Sequence, residues 1–238
     1  MNETIDDFLG GKIKLKQSEY RATSDAVLLA SAVPAKEGQT VLDVGCGSGA
    51  VVLCLMARVG NIKATAIDIK DEMIEMTKQN ALLNGMSLDV EKVDISNPPK
   101  QWKEKQFDHV FTNPPYFTET PKRQGTITAT AHKQNVGLAT WLDFCIKKTK
   151  SKGTLTIIHR TEAIPEILSI LHNRMGKITL IPLYPKKDTV PKRIIIQATK
   201  SSKTPFVLHT GFILHNEDNT RTKWAEDVMR KGEKLDIF

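Results

Sequence analysis

Cysteine is scarce in this 238-residue chain, and the scarcity excludes two classes of protein. Cys46, Cys54 and Cys145 show no metal-ligand spacing and make no even disulfide set, so neither a metal centre nor a disulfide scaffold is expected. No apolar run is long enough to span a bilayer, and no secretory leader is legible in residues 1–10. The expectation is a cytoplasmic protein with no membrane partner. Repeats, low-complexity tracts and linkers are missing too. That leaves one large α/β domain, or one domain with small additions. What is present suits such a domain, with 40% hydrophobic and 26% charged residues.

The formal charge of +7 is unevenly placed. Residues 147–203 carry 13 Lys+Arg against 3 Asp+Glu, whereas 1–40, 41–146 and 204–238 are each at −1. A phosphate-bearing partner explains such a block. A lysine-rich solvated surface explains it as well.

The chain is organised around residues 41–49, VLDVGCGSG. Short apolar residues suit a buried parallel strand. Gly45, Gly47 and Gly49 then alternate, and residues 50–57 continue as a helix. A strand, a glycine turn and a helix open a nucleotide-binding α/β unit. Glycine serves there because a Cβ blocks close approach of a ligand and because positive φ is open to it.

Ahead of that unit, residues 12–16 alternate charge with apolar side chains like a short exposed strand. Ser24 or Asp25 is the expected N-cap of a helix over 26–32. Beyond it, strands are expected at 63–68, 88–93, 107–112, 154–159, 177–183, 192–199 and 206–214. Helices are expected at 71–83, 138–150 and 162–172, and near the end of 219–234 through Trp224, Ala225, Val228 and Met229. Asp68 ends the second strand, 18 residues beyond Ala50, near the spacing at which such folds hold ribose hydroxyls. Asp94 ends the third.

The fourth strand runs into Asn113-Pro114-Pro115-Tyr116. Two prolines end a strand, since neither donates to a ladder. An Asn-Pro-Pro-aromatic window arises by chance about once in a hundred thousand. Its position after three nucleotide-site strands therefore argues for function. Residues 117–137 read as a long loop, a length more often functional than idle.

The glycine turn and the Asn-Pro-Pro-Tyr tetrapeptide, two strand–helix units apart, resemble the class I S-adenosylmethionine-dependent methyltransferases of the amino-methylating type. The resemblance implies a Rossmann-like, seven-stranded, mostly parallel sheet with helices on both faces and a short N-terminal hairpin/helix extension. It implies an extension at 1–40 over the mouth of a methyltransferase domain at 41–238. It implies S-adenosylmethionine as cofactor, with S-adenosylhomocysteine as product. Asp43 matches the acid near the glycine turn, Asp68 the acid on the ribose, and Asp94 the acid near the adenine amino group. Ile69 and Ile95, each following one of these acids, join the expected cofactor site with Gly45, Gly47, Gly49 and Asn113. The catalytic group is Asn113, Pro114, Pro115 and Tyr116, which bind the NH₂ to be methylated, with Tyr116 and Phe117 stacking on an extruded base. No metal is expected.

Such motifs occur on adenine-N6 methylators and on enzymes that methylate a glutamine amide in release factors. The latter usually carry a sizeable helical domain ahead of the glycine turn, and only about 40 residues precede it here. Residues 20–29, YRATSDAVLL, resemble the opening of bacterial tRNA adenine-N6 methyltransferases that act on a valine tRNA, as do residues 191–197 and 208–215. By that resemblance Thr23 and Asp25 help close the cofactor site. The expected function is methyl transfer to adenosine N6 in tRNA, with no obligate protein partner. The alternatives are a glutamine-amide methyltransferase and a non-catalytic RNA-binding module on the same fold. An NAD-type dehydrogenase also fits Gly45-x-Gly47-x-x-Ala50, but it leaves the Asn-Pro-Pro-Tyr site without a role.

Two departures stand out. Ala131-His132 is followed by Gln134 where relatives often have Glu, and Arg221-Thr222 replaces a common Tyr-Thr pair. No role is carried onto either. The basic block gives the expected RNA contacts, Lys186, Lys187, Lys192 and Arg193, with Lys147 and Lys148 in the same group.

Overall fold

The computed structural model describes residues 4–17, 21–115 and 136–237. Its centre is a mostly parallel sheet. Strands β3 (Thr40–Val44), β4 (Lys63–Asp68), β5 (Asp89–Lys92), β6 (Phe107–Thr112) and β7 (Thr149–Arg160) run parallel. β9 (Arg193–Lys200) lies antiparallel between β7 and β8 (Met175–Tyr184), giving the order β5-β4-β3-β6-β7-β9-β8. These seven strands are the expected sheet. Two-residue strands β10 (Val207–Leu208) and β11 (Phe212–Ile213) add to the β8 edge.

Strand periodicity sorts side chains between two cores. Val41, Ala66, Phe111 and Ile195 face helices α1 (Ser24–Ala32) and α2 (Ala50–Val59). Leu42, Val44, Val110 and Ile196 face α4 (Leu138–Lys148) and α5 (Ile164–Leu171) across the sheet. α3 (Asp71–Leu83) follows β4 with Asp71 and Glu72 in its first turn, where the helix dipole favours acids.

Five local readings need correction. Residues 12–16 are not an exposed strand. β2 (Ile13–Gln17) pairs with β1 (Thr4–Phe8) in an antiparallel hairpin, and Ile13 and Leu15 are fully buried in the α1/α2 core. The N-cap of α1 is Thr23, whose hydroxyl accepts the Asp25 N–H at 3.3 Å, rather than Ser24 or Asp25. α4 stops at Lys148 and β7 begins at once, because Thr149 is extended and its hydroxyl donates to the Cys145 carbonyl. Gly153 consequently lies inside β7, where a Cβ would sit 2.7 Å from the Asp108 carbonyl. Residues 206–214 make two short strands, because Gly211 breaks the run at φ +88. The last helix is short: α6 (Lys223–Glu226) passes into a π-turn over Asp227–Lys231.

Candidate active site

Four adjacent parallel strands end at one edge of the sheet, and their last residues form the site. β3 delivers Asp43 and the glycine turn. Asp43 is 1% exposed, and its Oδ2 has no hydrogen-bond partner among the described residues. Burial raises its pKa to about 8; the Val52 N–H opposes that rise and the Asp68 charge adds to it.

The three glycines share positive φ but answer to different neighbours. A Cβ on Gly45 would lie 2.6 Å from Trp141 Cζ2, and one on Gly49 would lie 2.9 Å from Thr77 Cγ2. Among the described residues, only Gly47 of the three faces open space, with nothing within 4 Å of the added atom. Gly47 thus leaves room for close approach of a ligand. Packing of the protein on itself explains the other two.

The turn is pinned from both sides. The Gly45 and Cys46 N–H groups donate to the Ile67 carbonyl, each at 2.9 Å. The Gly47 N–H donates to Asp68 Oδ2 at 3.1 Å, and the Lys70 N–H donates to Asp68 Oδ1 at 3.0 Å. Asp68 therefore stands at the end of β4 with its carboxylate held against the turn. Ile69 beside it is 45% exposed. Asp94 follows β5; the Ser96 hydroxyl and backbone N–H both bond its Oδ1 and lower its pKa. Ile95 is partly buried against the α4/α5 core.

β6 brings Thr112, then Asn113, Pro114 and Pro115, to the same edge. Pro114 is buried and Asn113 half-buried, while Pro115 is exposed. The Thr112 hydroxyl donates to the Val44 carbonyl at 2.7 Å and accepts the Trp141 indole N–H at 2.9 Å. Tyr116 and Phe117, with Ala131, His132 and Gln134, lie outside the described residues.

The basic block is split by the sheet. Strand register places Arg160, Lys186, Lys187, Lys192 and Arg193 at the edge that carries the glycine turn. The other eight cations of the block, Lys147 and Lys148 included, fall at the opposite edge. Lys148 is also buried, donating to the Trp102 carbonyl, and burial lowers its pKa. Lys147 pairs with Asp143 at 2.7 Å. These two are thus poorly placed for the contacts expected of them. Arg193 Nε bonds Asp25 Oδ2 at 2.8 Å, joining an expected RNA contact to an expected cofactor contact. Lys186 Nζ donates to the Glu217 carbonyl, and Lys187 and Lys192 are exposed.

Three residues that the sequence did not single out organise this site. Thr77 on α3 donates its hydroxyl to the Gly47 carbonyl at 2.8 Å. Asn80, fully buried one turn later, donates to the Ser48 carbonyl at 2.9 Å and exchanges both hydrogen bonds with the Lys16 backbone. Trp141 closes the far side. The available signal was polarity on an inner helix face: Thr77 and Asn80 fall where α3 packs inward beside Met73, Ile74 and Ala81.

A family model described as the methyltransferase small domain matches residues 18–139. Among curated proteins, the tRNA1(Val) (adenine(37)-N6)-methyltransferase of Shewanella halifaxensis is 30% identical over 152 residues, 63% of this chain and 61% of that one. The protein of the same name from Vibrio campbellii is 25% identical over 201 residues, 82% of this chain and 84% of the other. For the Shewanella halifaxensis and Shewanella sediminis proteins the alignment spans about six tenths of their length. Among solved structures, one from Agrobacterium tumefaciens described as a predicted O-methyltransferase superposes with a TM-score of 0.74. It has 23% identity and covers 89% of this chain and 98% of its own. The Thermus thermophilus 16S rRNA N2 G1207 methyltransferase, in complex with AdoMet and guanosine, gives a TM-score of 0.60 at 16% identity, over 84% of this chain and 50% of its own. Both structures share the fold.

Proposed function

The chain belongs to the methyltransferase small domain family, and from that premise we propose that it methylates the exocyclic N6 amino group of an adenosine in tRNA. S-Adenosylmethionine is the donor and S-adenosylhomocysteine the product. The observation that carries the reading is the meeting of two features at neighbouring strand ends. One is a glycine turn whose middle glycine opens on free space; the other is Asn113-Pro114-Pro115, one strand away. The names of the curated relatives support tRNA as the acceptor.

The residues fit the donor. Gly47 leaves room for close approach. Asp43 holds a buried, unpartnered carboxyl oxygen beside it, suited to a cationic or N–H group. Asp68 retains lone pairs for ribose hydroxyls, and Asp94 an acceptor for the adenine amino group. Ile69 and Ile95 supply apolar walls. When bound, the donor supplies an electrophilic methyl group on a sulfonium.

What the chain itself does is orient a poor nucleophile. The lone pair of an aromatic amine is delocalised into the ring. The Asn113 side-chain oxygen and the Pro114 carbonyl accept the two amino hydrogens, which favours a pyramidal nitrogen whose lone pair is withdrawn from the ring and exposed to the methyl group. The same two acceptors stabilise the positive charge that grows on nitrogen. Proline rigidity fixes the carbonyl without needing a donor partner. The proton leaves after transfer, so no general base is required. The site works by positioning and electrostatics.

Around this centre, residues 1–40 form a cover for the mouth of the domain at 41–238. The Lys16–Asn80–Ser48 hydrogen bonds and the Asp25–Arg193 pair support that assignment. Lys187 and Lys192 meet the RNA backbone, with Tyr116 and Phe117 against the base. The reading puts the protein in the cytoplasm with its substrate; no helix among the described residues is long and apolar enough to cross a membrane.

Labelled S-adenosylmethionine offered with total small RNA and, separately, total protein tests the reading. N6-methyladenosine is expected in the RNA. Asn113→Ala should cut that transfer by about 100-fold or more while donor affinity stays within about threefold. Label in a protein glutamine amide would redirect the same chemistry to release factors. Wild-type turnover by Asn113→Ala would remove the mechanism.

A further inference from the structure

We propose that Trp141, acting with Thr112, is the positioning residue that fixes Asn113 against the glycine turn; the role rests on the methyl-transfer reading above. Trp141 lies on α4 yet reaches two strand ends at once. Its indole N–H donates to Thr112 Oγ1 at 2.9 Å, and that hydroxyl donates onward to the Val44 carbonyl at 2.7 Å. Val44 and Thr112 face each other in the β3–β6 register. One residue beyond each stand Gly45 and Asn113.

The ring completes the circuit. Its benzo edge fills the space where a Gly45 side chain would begin, so only glycine admits it there. Trp141 therefore touches the donor cradle through its ring and the residue preceding Asn113 through its N–H. The polar chain is directional and complete: Thr112 spends its one proton on Val44 and receives one from Trp141. With Thr112 fully buried, the hydroxyl has no water to fall back on.

Asn113 is half-buried at the open end of β6, and the next residue is a proline with no N–H to donate. The pairings of β6 with β3 and β7 both end at Thr112, so Asn113 stands one residue past the last registered pair. The Trp141–Thr112–Val44 chain supplies the constraint that the missing ladder cannot. Methyl transfer demands that constraint, since a displacement of about 1 Å between reacting groups costs about 100-fold in rate.

Two substitutions separate positioning from mere packing. Trp141→Phe keeps a ring against Gly45 but removes the N–H. Thr112→Val keeps the volume and removes the hydroxyl, whereas Thr112→Ser restores it. The expected result is a fall in kcat of about 10- to 100-fold for Trp141→Phe and Thr112→Val, with donor Kd and acceptor KM within about threefold and near wild-type kcat for Thr112→Ser. The double variant should lose no more than the worse single one. Amide exchange at Asn113, read by NMR on the donor-free protein, should accelerate about tenfold in Trp141→Phe. That arm needs no acceptor, so a wild type that fails to methylate tRNA counts against the proposed function and leaves this inference readable. Unchanged exchange at Asn113, or equal losses for Thr112→Val and Thr112→Ser, would overturn it.

Discussion

At the scale of single residues, three glycines that look equivalent in sequence do different work. Gly45→Ala drives a methyl to 2.6 Å from Trp141, whose ring is held by its bond to Thr112 and cannot step aside. Gly47→Ala meets nothing among the described residues, and the folding cost seen there is the left-handed backbone at φ +55. The expected destabilisation is about 2–3 kcal/mol for Gly45→Ala and about 1 kcal/mol for Gly47→Ala. Affinity should run the other way. Gly47→Ala puts its methyl into the donor's space and weakens S-adenosylmethionine binding by more than about tenfold. Thermal unfolding and calorimetric titration of both variants decide the matter, and a Gly47→Ala that binds normally would move the donor away from the turn. The alternation Gly-x-Gly-x-Gly was legible in the sequence. Which glycine stands clear of the surrounding side chains was not, because that depends on Trp141 and Thr77, distant in sequence and unremarkable by type.

At the scale of elements, the same division recurs. β4, β6 and α3 follow the sequence reading residue for residue, since each is bounded by its own punctuation: a strand-end acid, a double proline, an Asn84-Gly85 stop. The hairpin was harder to read. β1 carries Asp6 and Asp7 and shows no apolar face of its own, and the burial of Ile13 and Leu15 depends on helices arriving later in the chain. Beside that burial, a pair of side-chain amides, one on α3 and one at its C-cap, binds the hairpin to the domain. Asn80 and Asn84 each exchange two hydrogen bonds with the backbone, at Lys16 and Lys14 respectively, and so imitate a neighbouring strand. Asn80 is fully buried and also holds Ser48, whereas Asn84 is partly solvated. Asn80→Ala removes the side-chain partner of three backbone groups, of which the Ser48 carbonyl is buried. It should therefore cost about 2–4 kcal/mol in urea unfolding, against about 1 kcal/mol for Asn84→Ala. Equal losses would mean that the clip is solvated throughout and that the hairpin rests on Ile13 and Leu15 alone.

At the scale of the whole molecule, the sequence revealed the charge but not its geography. The block at 147–203 is contiguous in the chain, yet an antiparallel turn of the sheet sends its cations to opposite edges. Several are also committed within the fold: Lys148 to the Trp102 carbonyl, Lys150 to Asp108, Lys200 to the Ile146 and Thr149 carbonyls, Arg193 to Asp25. A polyanion drawn to the site should therefore feel only the near-edge group. Lys187→Glu with Lys192→Glu, both exposed there, should weaken tRNA binding by about 10- to 100-fold at about 0.1 M salt. The slope of log affinity against log salt should fall by about 1–2. The matched far-edge pair, Lys152→Glu with Lys203→Glu, changes net charge by the same amount and is also exposed. It should leave affinity within about twofold, because at that distance from the site solvent screens the charge. S-Adenosylmethionine affinity should hold in both variants. Equal weakening by the two pairs would show that the RNA responds to total charge rather than to the edge that carries Asn113, and the docking face would then have to be sought elsewhere on the surface.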